Sequence, residues 1–88
     1  TSIKELVGHM KTKNFTEVRK WCANNMDNDM NAIFRKIYDS SHDIMKQQSI
    51  PQLCLTLADY QYKAAFAADQ ELNLVACFAE VMVQCEFK

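Results

Sequence analysis

A chain of 88 residues has room for one domain, and at that length folding buries only about 60–65% of the unfolded surface. A net charge of −1 with a pI near 6.0 leaves no basic stripe of the kind that neutralises phosphates, which argues against direct DNA binding. No run approaches the ~18 consecutive apolar residues that a membrane span needs, and a single Gly and a single Pro favour helices joined by short polar loops.

Five helices are expected, giving an all-α five-helix bundle. In the first, Ile3, Leu6, Val7 and Met10 recur at i, i+3, i+4, i+7, with Ser2 as N-cap and Asn14 as the break. Thr16 is the expected cap of a short second helix whose apolar face is Val18, Trp21 and Cys22. The run Asn24, Asn25, Asp27, Asn28, Asp29 reads as a loop.

The third helix has the clearest period. Met30, Ile33, Phe34, Ile37, Ser41, Ile44 and Met45 share one face, and Arg35, Lys36, Asp39 and Asp43 the other, with Asp27 or Asp29 at its start. Lys46-Gln47-Gln48 ends it. Ser49-Ile50-Pro51-Gln52 opens the fourth helix, with Ser49 as N-cap, Pro51 in the tolerated first turn and Gln52 placed for a capping box. Leu53, Cys54, Leu57, Ala58 and Tyr60 continue it, while Tyr62 to Ala68 carries little periodic signal.

Asp69 caps the fifth helix. On a wheel of 100° per residue, Asn73, Glu80 and Gln84 form a narrow polar strip, and an apolar arc of about 220° fills most of the rest. So broad an arc places this helix either at the centre of its own bundle or partly under another chain, and in so small a domain the second reading is favoured.

The residues with chemical potential have structural readings beside the functional ones. Cys22, Cys54, Cys77 and Cys85 lack Cys-x-x-Cys spacing and sit in apolar helical contexts, as reduced core or interface thiols of a cytoplasmic protein would. They and His9 and His42 lack the local pairs of a zinc site, so no metal and no cofactor is expected. Asp39 and Asp43, at i, i+4, read as a solvated helix face rather than an acid–base pair, and Lys11, Lys13, Arg19 and Lys20 read likewise. Trp21 reads as core. Tyr60, Tyr62 and Phe66, clustered near a helix junction with no single core face, are the better interface candidates.

Residues 57–79 read LADYQYKAAFAADQELNLVACFA. This resembles the segment joining the last two helices in replication factor C-type clamp-loader small subunits, most closely the T4-like bacteriophage form. An acidic–aromatic–basic stretch is matched by Asp59, Tyr62 and Lys63, a turn by Ala67-Ala68-Asp69, and a helix opening by Leu72-Asn73-Leu74 and Ala76. Lys11-Thr12-Lys13-Asn14 with Arg19, Pro51-Gln52 and the ending Phe87-Lys88 extend the likeness over nearly the whole chain. Three positions depart from the pattern: Lys63 stands for the commoner Arg, Ala67 for Gly and Asn73 for Gln. Lys lacks the bidentate fork of Arg, and Ala disfavours a left-handed turn.

The resemblance implies a collar domain that follows an ATPase module and packs side by side with other clamp-loader subunits. Contact with ATP, the sliding clamp and primer–template DNA would run only through upstream modules, in the bacterial host cytoplasm if the source is a phage. It implies no catalytic residue here, since the lone Gly8 leaves no Gly-x-x-x-x-Gly-Lys-Ser/Thr loop. The subunit-interface candidates are Tyr60, Tyr62, Lys63, Phe66, Leu74, Phe78, Val81 and Cys85. Two other readings compete with this one: an unrelated helical interaction domain docking through its last helix, and a small thiol or metal enzyme, which requires a depressed cysteine pKa or bound metal.

Overall fold

The computed structural model describes residues 2–88, with the side chain of Ser2, and so the cap expected there, outside the described set. The fold is all-α. In chain order it runs α1 (Ser2–Lys11), α2 (Phe15–Asn24), α3 (Met30–Asp39), α4 (Ser41–Ile44), a 3₁₀ turn (Gln47–Ser49), α5 (Ile50–Ala64) and α6 (Gln70–Gln84). All five expected helices are present. The expected third helix, however, is divided, so that six α-helices stand among the described residues.

That division has a local cause. At Ser40 the backbone leaves helical geometry (φ −92°, ψ 0°), and its amide is shared between the carbonyls of Lys36 and Ile37. One further turn, α4, carries the chain to Met45, which is extended and pairs as an isolated antiparallel bridge with Phe87. The Lys46 amide donates to the Glu86 carbonyl at 3.0 Å, and the Lys88 amide to the Ile44 carbonyl at 3.0 Å. A continuous helix would have prevented this pairing with the C-terminal segment.

The caps correct two further expectations. Asn14, not Thr16, caps α2, its side chain accepting from the Glu17 amide at 3.3 Å. Ser49 makes no side-chain cap to α5; its hydroxyl accepts instead from the Glu86 amide at 2.8 Å. Gln52 likewise forms no capping box and donates to the Thr56 hydroxyl at 3.1 Å. Asp29 caps α3 and Asp69 caps α6, each accepting from a first-turn amide (3.0 and 3.1 Å), as their sequence positions suggest.

The core joins Leu6 and Met10 of α1, Val18, Trp21 and Cys22 of α2, Ile33, Phe34 and Ile37 of α3, Leu53 and Leu57 of α5, and the inner face of α6. Trp21 meets Phe78 edge-on, ring centroids 6.0 Å apart, which places it in the core as its sequence context suggests. Because α1, α2 and α5 all pack against α6, that helix is central to its own bundle. Of the two arrangements that the broad apolar arc allows, the structure shows the first, and only an outer strip is left for another chain to cover. Among its larger apolar residues, only Leu72 and Val83 are more than a third exposed, at 66% and 82%.

Candidate interaction surface

The eight interface candidates fall into two groups. Leu74, Phe78, Val81 and Cys85 are enclosed in the chain's own core, with exposures of 0%, 0%, 1% and 3%. An interface through these four would require the bundle to open. Tyr60, Tyr62, Lys63 and Phe66 come together at the C-terminal end of α5 and just beyond it.

Helical geometry separates the roles of those four. Tyr60 shares the inward flank with Leu53, Leu57 and Ala64, while Tyr62 lies about 160° away and faces solvent. The Tyr60 hydroxyl donates to Glu80 Oε1 at 3.4 Å, at the long end of hydrogen bonding. The Thr56 hydroxyl donates to the other carboxylate oxygen at 3.4 Å, and Gln52 donates to Thr56. Asn73 Nδ2 donates to the Tyr60 carbonyl at 3.3 Å. The polar strip of α6 is therefore turned toward α5, where a half-buried network ties the two helices. Burial, with the Glu80 carboxylate next, pushes the Tyr60 phenol above its ordinary pKa.

On the outer side, Lys63 Nζ lies 3.0 Å from Asp59 Oδ2 and 4.7 Å from the centroid of the Tyr60 ring. The hydrogen bond to Asp59 and that residue's charge hold the ammonium pKa above its usual value. Both partners are more than half exposed, so the pair adds little to stability. Beside it Tyr62 and Phe66 meet edge to face at 5.3 Å while remaining 69% and 74% exposed. Two large aromatics this open, in contact with one another, form a patch rather than scattered surface apolar residues.

The turn after α5 needs no glycine. Among the described residues the one non-glycine with positive φ is Lys13, not Ala67. Gln70 Nε2 bridges the carbonyls of Ala64 at 2.7 Å and Ala67 at 3.1 Å, so a side chain satisfies the helix end that a left-handed glycine would otherwise close. Lys13 Nζ in turn donates to the Met82 carbonyl, joining the α1–α2 turn to the last turn of α6.

Leu55 is a surface residue that the sequence reading passed over, and it is 68% exposed. Its signal lay in spacing: Pro51, Leu55, Ala58, Tyr62 and Ala65 recur at 4-3-4-3 along α5, opposite the inward set. A shallow cleft of about 310 Å³ adjoins this row, between α3 and α5, lined in part by Phe34, Tyr38, Cys54 and Ala58.

Groups with catalytic potential are dispersed. Burial, followed by the Glu71 charge, pushes the Cys22 thiol up to about 12, and burial also raises Cys77 and Cys85. A nucleophilic cysteine needs the opposite shift. Among the described residues no three of His, Cys, Asp or Glu are grouped to hold a metal ion, and no helix is long and apolar enough to cross a membrane. His9 and His42 are linked to the rest of the fold through their carbonyls, which accept from Thr12 and Lys88. Neither a protein-family profile nor any curated protein matches the chain.

Proposed function

We propose that the chain is an assembly domain of a sliding-clamp loader, a collar module that packs beside equivalent domains and holds upstream ATPase modules together during DNA replication. Its partners are the other clamp-loader subunits, and its contribution is binding rather than chemistry. The observation that carries the reading is the surface at the end of α5. Tyr62 and Lys63, two residues on which the clamp-loader resemblance rests, sit solvent-facing beside Phe66 with no cover from the chain's own helices.

The all-helical fold supports this reading, as do the order and spacing of the motifs from Lys11 to Lys88. The thiol-enzyme alternative has less behind it, because the buried thiols shift away from thiolate formation. An unrelated docking domain would share the exposed patch but not the ordered motifs.

The test is to read the codons upstream of Thr1. The clamp-loader assignment expects roughly two hundred codons encoding a phosphate-binding loop followed by an acidic metal-binding motif. A frame that opens with a methionine immediately before Thr1 removes the ATPase connection.

A further inference from the structure

We draw no further inference here: the strongest candidate, the outward apolar row of α5 through Leu55 and Tyr62 with the adjoining α3–α5 cleft, is an unpartnered face, and nothing in the structure shows what covers it.

Discussion

Replacing Phe78 by alanine separates the core reading of α6 from an interface reading. Phe78 has no exposed surface, and its ring meets Trp21 at 6.0 Å. Truncating a fully buried Phe costs about 3–5 kcal/mol through lost transfer energy and the cavity left behind, and loss of the aromatic pair contributes to that sum. At about 0.05–0.15 kcal/mol per residue, 88 residues hold roughly 4–13 kcal/mol in all. Phe78→Ala should therefore consume a large share of the stability, and unfold the domain outright if it lies near the lower bound. The assay is urea denaturation followed by far-UV circular dichroism, with Tyr62→Ala as the comparison. Tyr62 is exposed on the far side of α5, so its truncation should change stability by no more than about 0.5 kcal/mol. A Phe78→Ala loss below about 1 kcal/mol, or a Tyr62→Ala loss above it, would refute the assignment of the two residues to core and surface.

Other outcomes follow from single contacts. Asp69→Ala removes the cap on the Leu72 amide and should cost about 1 kcal/mol, read as a lower urea midpoint with unchanged slope. Lys13→Gly relieves the positive φ of 61° but loses the bond to the Met82 carbonyl. Amide exchange in the last turn of α6 should therefore quicken, while Lys13→Ala should quicken it and lower stability as well. Because burial raises the Cys22 thiol from 9.0 to about 12, the unfolded chain releases that proton first as pH rises. Stability should hold below pH 9 and fall from there to about pH 12, by at most about 1.4 kcal/mol per pH unit per thiol, as unfolding at stepped pH would record. A thiol reagent at neutral pH should label half-buried Cys54 first, and Cys22 and Cys77 only as the chain unfolds.

The periodic stretches of the chain were largely legible. Ile33, Phe34 and Ile37 announce their buried face, and Asp29 and Asp69 lie where helices begin. Sequence reading failed where distant segments decide. Ser40 interrupts a helix whose apolar period runs on, because Met45 has to reach Phe87. The hydroxyl of Ser49 looks like a cap but is taken by the Glu86 amide, 37 positions away. The wide arc of α6 favoured partial burial by a partner chain, yet three helices of its own chain pack against it and leave only the strip through Leu72 and Val83 open. The candidate surface was half legible. Tyr62 and Phe66 stood out as aromatics without a core face, whereas Leu74, Phe78, Val81 and Cys85 were drawn from the same arc and turned inward. Leu55 was hidden because a helix with apolar residues on two opposite sides blurs the single period by which amphipathic helices are recognised.

Assembly of the product of the whole reading frame, with and without a stop codon in place of that for Thr1, tests the central claim most directly. The account predicts that the complete product forms a multi-subunit ring whose ATP hydrolysis rises with sliding clamp and primer–template DNA, and that the shortened product stays monomeric and unresponsive. A shortened product that assembles and responds as the complete one does would contradict it.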